Sequence, residues 1–252
     1  MTVPGAVLEA ASSARRVTVV TGAGMSAESG VPTFRDAQTG LWDRYAAEDL
    51  ATPEAWAHDR AFVWAWYLWR FGLVRRAQPN AGHVALAEWA RMPSAPDVTV
   101  VTQNVDDLHE RGGSLDVVHL HGSLADFRCE RCHAAYEGVV EPLDHEVERV
   151  EPPRCEACGA AIRPGVVWFG EMLPVEAWER AVGAAERCDL LLVVGTSGLV
   201  HPAAGLPVTA LASGARVIEV NPVETAISDY VHHRWRATAA EALPALVAAV
   251  RD

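Results

Sequence analysis

Four cysteines stand as two C-x2-C pairs, Cys129/Cys132 and Cys155/Cys158, on either side of an acidic, proline-containing stretch. This spacing is close to that of a four-thiolate zinc ribbon, in which each pair occupies its own tight turn. All four ligand positions are then filled by sulfur, so no site is left for a reacting water and the zinc is expected to be structural. A disulfide framework is the weaker reading, because the N-terminus does not read as a secretory signal. The fifth cysteine, Cys188, precedes "LLLVV" and reads as an inert core thiol.

A second chemistry-bearing stretch is "GAGMSA", Gly22 to Ala27, at the end of the apolar run "RRVTVVT". It fits G-x-G-x-x-A, where glycines permit a tight turn and let backbone N–H groups approach a pyrophosphate. The acid expected on a dinucleotide ribose about 20 residues later has only Asp43 to offer, and "LWDRY" is not strand-like. A dinucleotide site, not of the ordinary dehydrogenase kind, and a plain turn both remain open on these residues. "HLHG" (119–122) offers two histidines, of which His121 adjoins a glycine and suits a general base at neutral pH; a structural histidine is the alternative. "GTSG" (195–198) and "VNP" (220–222) supply small hydroxyl and amide groups.

A third feature lies in "AFVWAWYLWRFG" (61–72), where one arginine interrupts three tryptophans, two phenylalanines and a tyrosine. Tyr67 and Arg70 stand one helical turn apart and project from one face. The pair either offers a carboxylate a bidentate fork plus a phenol or is a core tyrosine beside a snorkelling arginine. Trp64, Trp66 and Trp69 read as packing.

These residues must be positioned by something, and the apolar pattern says what. Near-continuous runs at 15–24, 97–104, 115–122, 188–198 and 215–222 suggest parallel strands covered on both faces. Helical stretches fall between them at about 81–92, 175–187, 202–213 and 239–250. The alternation predicts an α/β fold with a Rossmann-like, doubly wound parallel sheet. The polar motifs fall where strands end, which is where open α/β sheets bind ligands. Two segments break the rhythm. The expected organisation is a nucleotide-binding domain from 1–40, 81–122 and 164–252, with a helical module (41–80) and a zinc-ribbon module (123–163) forming a smaller domain.

The whole chain of 252 residues carries a formal charge of −12. That argues against an extended nucleic-acid footprint. No apolar run is long enough to span a membrane, so a cytoplasmic protein is expected.

Taken together, "GAGMSAESGVPTFRD" (22–36), "TQNVDDLHERGG" (102–113), "HLHG", the cysteine pairs, "VVWFGEMLP" (166–174), "GTSG" and "VNP" resemble the sirtuins. These are NAD-dependent protein lysine deacylases, and the motifs run in family order over nearly the whole chain. The resemblance implies that NAD is consumed as a co-substrate in a cleft between the two domains. Gly22, Ala23, Gly24 and Ser26 would serve its pyrophosphate, and Phe34 and Arg35 a cofactor loop. Gln103 and Asn104 would hold the nicotinamide ribose, and Val105 and Asp106 the carboxamide. Gly195, Thr196, Ser197, Asn221 and Ala239 would line the adenosine end. His121 would be the general base, and nicotinamide and O-acyl-ADP-ribose the products. Val167, Trp168, Phe169, Gly170 and Glu171 would border an extended acyl-lysine peptide, "VVWFGE" adding to it as a strand. The Y-x-x-R pair resembles the subset that prefers succinyl, malonyl or glutaryl lysine, so Tyr67 and Arg70 would line the acyl pocket, with some deacetylation retained. A plain deacetylase or a mono-ADP-ribosyltransferase is the alternative. The oligomeric state is left open, a monomer included.

Overall fold

Segments such as "RVTVVT" and "LLLVV" can bury both faces only inside a covered sheet, and that is where they lie. The computed structural model describes residues 1–32, 40–43 and 45–251. Along the chain, α1 (Gly5–Ser13) and β1 (Arg16–Thr21) precede a helical segment of α2 (Ala47–Leu50), α3 (Pro53–His58) and α4 (Arg60–Arg76). Then come α5 (Ala81–Trp89), β2 (Asp97–Thr102), α6 (Leu108–Arg111), β3 (Val117–His119), β4 (Gly122–Cys129) and β5 (Ile162–Val166). The remainder is α7 (Val175–Arg187), β6 (Leu190–Val194), α8 (Leu206–Ala212), β7 (Arg216–Val220), β8 (His233–Trp235) and α9 (Ala239–Arg251). Among the described residues no helix is long and apolar enough to cross a membrane.

The main sheet has the order β3-β2-β1-β6-β7-β8 with every pairing parallel. Setting aside β4 and β5, which form their own sheet, this is the Rossmann order, with its switch point between β1 and β6. One face carries α1, α5 and α9 through Val7, Ala11, Leu86, Trp89, Leu243 and Leu246. The other carries α7 and α8 through Ala181, Ala185, Leu206 and Ala210, and Cys188 is buried there. Both faces being dry explains the lack of polar alternation in the central strands.

A separate apolar core joins the tryptophan-rich helices to the cysteine segment, packing Trp56, Trp64, Trp66 and Tyr67 with Leu124, Cys129, Ile162 and Trp168. Helix α4 starts on a side-chain cap, Asp59 accepting from the Phe62 N–H at 3.1 Å, and ends with Arg75 and Arg76 in the last turn, a favourable polarity. The acidic stretch crosses α4 closely: Leu143 and Val150 donate to the helix carbonyls of Leu68 and Ala61 at 3.1 Å each. Gly72 permits that crossing, since a Cβ there would lie 2.0 Å from the Leu143 oxygen.

Several expectations need correction. Gly122 opens β4 instead of ending a strand. The segment "VVWFGE" is strand only as far as Val166. Beyond it, side-chain bonds to Trp168 and Glu171 take over the geometry. α1 and β8 were not anticipated from the apolar pattern.

Candidate active site

The loops after β1 and β6 diverge from adjacent strands and still touch. Gly24 donates to the Gly195 carbonyl at 2.8 Å. A Cβ on Gly24 would lie 2.8 Å from the Gly195 Cα, and Gly195 holds φ +60°. Side chains are excluded at this crossing, which keeps the crevice open at the level of the backbone. Ala23 and Gly24 form a short 3-10 turn with Met25, bounded by Gly22 and Ser26.

β2 delivers the next group. The Asn104 side chain donates to the Gly22 carbonyl at 3.0 Å and to Ser26 Oγ at 3.1 Å. Ser26 in turn donates to Asp106 Oδ2 at 2.9 Å, and Asp106 Oδ1 accepts from the Leu108 N–H at 3.1 Å. Burial raises the Asp106 pKa against the lowering effect of these two bonds. Gln103 reaches across to β6, donating to Thr196 Oγ1 at 3.2 Å. Val105 is half-buried and its carbonyl accepts from Leu124 at 2.8 Å. One connected set of bonds therefore ties the ends of β1, β2 and β6.

His121 lies in the turn between β3 and β4. Its Nδ1 is 2.9 Å from the Gln103 carbonyl oxygen. A carbonyl only accepts, so Nδ1 carries the proton and Nε2 is left as the basic nitrogen. Burial lowers the His121 pKa, partly offset by this bond, which keeps the ring neutral near pH 7. His119 differs: Nδ1 meets the Asn104 carbonyl at 3.2 Å and Nε2 meets Glu110 at 2.7 Å. Both partners accept, so both nitrogens carry protons. Burial disfavours that cation, but Glu110 and the Asn104 carbonyl outweigh it and raise the pKa. Their surroundings thus shift the pKa values of the two histidines of "HLHG" in opposite directions.

At the far end of the sheet, Asn221 is buried, takes the Trp235 carbonyl with its N–H at 3.2 Å, and donates from Nδ2 to Val223 at 3.0 Å. The Ser197 carbonyl accepts from Ala226 at 3.2 Å. Ala239 is the buried first residue of α9. These residues share one edge of the sheet with the β1 and β2 loops. Phe34 and Arg35 lie outside the described residues.

The residues expected to border the acyl-lysine substrate meet in the second core. Tyr67 and Arg70 are both buried on α4, Arg70 being 8% exposed. The Arg70 guanidinium carbon lies 5.2 Å from the Trp66 ring centre. Burial lowers its pKa, although an arginine stays charged in proteins. Trp168 Nε1 donates to Tyr67 Oη at 2.9 Å. Burial pushes the Tyr67 pKa up, so the phenol keeps its proton. Val167 donates to the His121 carbonyl at 2.8 Å, which ties this wall to the turn that carries His121. Phe169 donates to Ala51 at 2.9 Å, and Gly170 turns the chain at φ +85°. Glu171 pairs with Arg163 at 2.6 and 2.9 Å and accepts from the Trp168 N–H at 2.9 Å. Its carboxylate therefore braces the loop. Arg163, stacked 3.3 Å from the Trp168 ring centre, escaped the sequence reading; only its place between the cysteines and "VVWFGE" hinted at a role.

The four cysteine sulfurs lie within 4.8 Å of one another. Cys129–Cys158 and Cys132–Cys155 are 3.4 and 3.7 Å apart, close to the ~3.8 Å edge of a zinc tetrahedron with ~2.3 Å bonds. Backbone N–H groups of Arg131 and Cys132 point at Cys129 Sγ, 3.4 and 3.5 Å away. The donor set fits a structural zinc.

The profile of the Sir2 family matches residues 22–202. The NAD-dependent protein deacylase of Corynebacterium glutamicum is 48% identical over 240 residues, covering 95% of this chain and 93% of that protein. The NAD-dependent protein deacylase Sir2 of Mycolicibacterium smegmatis is 53% identical over 232 residues, covering 92% and 95%. A crystal structure of a Sir2 homologue in complex with NAD superposes with a TM-score of 0.89 at 44% identity, covering 99% of this chain and 94% of that one. A structure of Sir2 bound to acetylated peptide gives 0.80 at 31%, covering 94% and 93%. With the Rossmann order, the neutral histidine and the four-cysteine cluster already in place, these matches settle the family: the chain belongs to the Sir2 family, the sirtuins.

Proposed function

We propose that the protein is an NAD-dependent protein lysine deacylase favouring acidic acyl groups, namely succinyl, malonyl and glutaryl, while retaining some deacetylation. Relatives named NAD-dependent protein deacylases at about half identity support the activity. The observation that carries the acyl preference is the buried Tyr67–Arg70 pair. Arg70 is a charged fork fixed in an aromatic wall. Tyr67 Oη already accepts from Trp168, and an indole N–H only donates, so the phenol proton is directed at some other acceptor. An acyl carboxylate matches both groups.

In this reading NAD, when bound, supplies an electrophilic ribose carbon and nicotinamide as leaving group. Gly22, Ala23, Gly24 and Ser26 hold its pyrophosphate at the side-chain-free crossing; Gln103, Asn104, Val105 and Asp106 hold the nicotinamide end. Gly195, Thr196, Ser197, Asn221 and Ala239 hold the adenosine. His121 Nε2 takes a proton from a ribose hydroxyl, while the Gln103 carbonyl keeps the ring's tautomer and orientation. With NAD bound, the acyl-lysine amide, NAD and one water would give the free lysine amine, nicotinamide and O-acyl-ADP-ribose. Cys129, Cys132, Cys155 and Cys158 would hold a zinc that braces the small lobe and, with all four positions filled by sulfur, would leave no place for a reacting water. An extended peptide lies between the 167–171 loop and the Asn221 loop, its side-chain acyl group entering toward Tyr67 and Arg70. Four thiols arranged for a metal suit a reducing, cytoplasmic setting.

The test is turnover of one peptide carrying succinyl-, malonyl-, glutaryl- or acetyl-lysine, with mass analysis of the ribose product. Faster turnover of the acidic acyl peptides with O-acyl-ADP-ribose formed supports the reading. Equal rates remove the preference, and ribose retained on protein indicates ADP-ribosyl transfer instead.

A further inference from the structure

Glu130 sits inside the first cysteine turn, yet its carboxylate faces away from the sulfurs toward the helical segment. Oε2 accepts from Trp56 Nε1 at 2.7 Å and from Arg60 Nε at 2.9 Å. Oε1 lies 3.4 Å from the Ala161 N–H. Trp56 is 3% exposed and stacks against Trp168, the ring centres 5.5 Å apart and tilted by 42°. Trp168 is also covered by the Arg163 guanidinium at 3.3 Å, and its indole N–H reaches Tyr67 Oη at 2.9 Å. The contacts form an unbroken line: carboxylate, indole, indole, phenol.

We propose that Glu130 is a positioning residue for acyl recognition, acting through Trp56 and Trp168 to orient the Tyr67 hydroxyl. The argument is one of hydrogen-bond polarity. An indole N–H cannot accept, so a fixed Trp168 commits one lone pair of Tyr67 Oη and turns the phenol proton away from itself. Trp168 keeps that angle only while its ring is clamped, by Arg163 on one contact and Trp56 on another. Trp56 would rotate about its χ angles were its N–H not held by a charged acceptor, and charge-assisted bonds of this kind are the stronger class. Glu130 is itself held in register by Arg60 and by the Glu130 N–H bond to the Ala161 carbonyl at 3.0 Å. The cysteine turn thus sets the direction of a donor in the acyl pocket without touching substrate. The proposal rests on the acidic-acyl reading above, because only an acyl carboxylate would use the Tyr67 proton.

The experiment compares wild type, Trp56→Phe, Glu130→Ala and Glu130→Gln on succinyl- and acetyl-lysine forms of one peptide at saturating NAD, with zinc content and the KM for NAD measured alongside. Trp56→Phe keeps an aromatic ring in the stack and changes no residue of the cysteine turns, and the zinc measurement reports any loss of the metal. Expected is a rise in KM for the succinyl peptide of about fivefold or more in Trp56→Phe and Glu130→Ala, the scale of one oriented hydrogen bond. The acetyl KM, the NAD KM and the zinc content stay within about twofold of wild type. Glu130→Gln, which keeps an acceptor for Trp56, recovers most of the succinyl KM. If wild type favours succinyl yet Trp56→Phe raises both peptide KM values equally, or leaves both unchanged, the positioning role is overturned while the acyl preference stands. If wild type shows no preference, the acidic-acyl reading falls and this role falls with it.

Discussion

At the scale of single residues, the site works through protonation states that partners enforce. His121 is suited to act as a base because the Gln103 carbonyl accepts a hydrogen bond from its Nδ1–H, leaving Nε2 unprotonated, and burial disfavours the imidazolium. Activity present with neutral His121 is lost as pH falls through a pKa below the ordinary 6.5, so kcat/KM should be flat from pH 7 upward with its acid limb below pH 6.5. A pH–rate profile checks this, and an inflection above 7 would contradict the assignment. Replacing His121 by Tyr should lower turnover by about 100-fold or more, with zinc content and folded-state circular dichroism kept. Arg70→Met should lower kcat/KM for a succinyl peptide by about 30-fold or more, the cost of stranding a buried carboxylate, and affect acetyl far less. Equal losses on the two peptides would make Arg70 a packing residue. Gly22, Gly24 and His121 stood out in the sequence because they sit at strand ends beside glycines. Arg163 and Glu130 did not, because their importance comes from aromatic partners far away in the chain.

At the scale of elements, the small lobe depends on β4 and β5 being held together at the cysteine end. Cys129 and Cys155 are buried in the same core as Trp56, Trp64 and Trp168, so the metal site and the aromatic wall share packing. Chelating the zinc should release both turns, change the near-ultraviolet tryptophan signal and abolish turnover, with recovery when zinc is restored. One metal per chain by elemental analysis is expected. A chain that carries no zinc and keeps its tryptophan signal under chelator would sink this account. The same elements show why some structure was legible and some was not. β1, β2, β6 and β7 are buried on both faces, so their apolar runs announce them. β4, "GSLADFRC", mixes acid, base and aromatic, because only Leu124 and Cys129 along it are fully buried and its other residues are half-buried or exposed. β8, "HRW", is an edge strand with only Trp235 buried. "VVWFGE" misled in the other direction. Its apolar composition reads as strand, but the Trp168 N–H is taken by the Glu171 carboxylate three residues on, and Gly170 turns the chain at φ +85°.

At the scale of the whole molecule, the nucleotide-binding lobe carries an acid-sensitive joint that the proposed reaction does not use. His83, fully buried on α5, accepts the Asn80 N–H on Nδ1 at 3.3 Å as part of that helix's capping box. Asn80 also donates to the Met25 carbonyl at 2.8 Å, so the cap reaches the loop after β1. His109, whose ring centre is 4.8 Å from that of His83, meets Thr21 at the end of β1 at 3.1 Å. Burial lowers the His83 pKa from 6.5 to about 4, with Glu110 opposing. Burial, with His83 and His119 beside it, also holds His109 well below 6.5. Between these folded values and 6.5 the unfolded chain binds more protons, so stability rises with pH in that window and is lost as pH falls from about 6.5 toward 4. A shift of that size corresponds to roughly 3 kcal/mol from His83, and His109 adds to it in the same direction. Asp106 works the other way, since burial raises its pKa and acid relieves the cost of its charge. His119, raised by Glu110, acts in the same sense as Asp106. His121, lowered by burial, and the depressed carboxylates Glu110, Glu130, Glu171 and Asp189 act with His83 and His109, so the larger set loses stability toward acid. Urea unfolding at pH 7, 6 and 5 should therefore show falling stability, with a shallower fall in His83→Gln, whose side chain does not titrate. Identical slopes in the two proteins would mean that His83 is charged, or equally accessible to protons, in the folded state, and the joint between α5 and the β1 loop would then need another source of acid sensitivity.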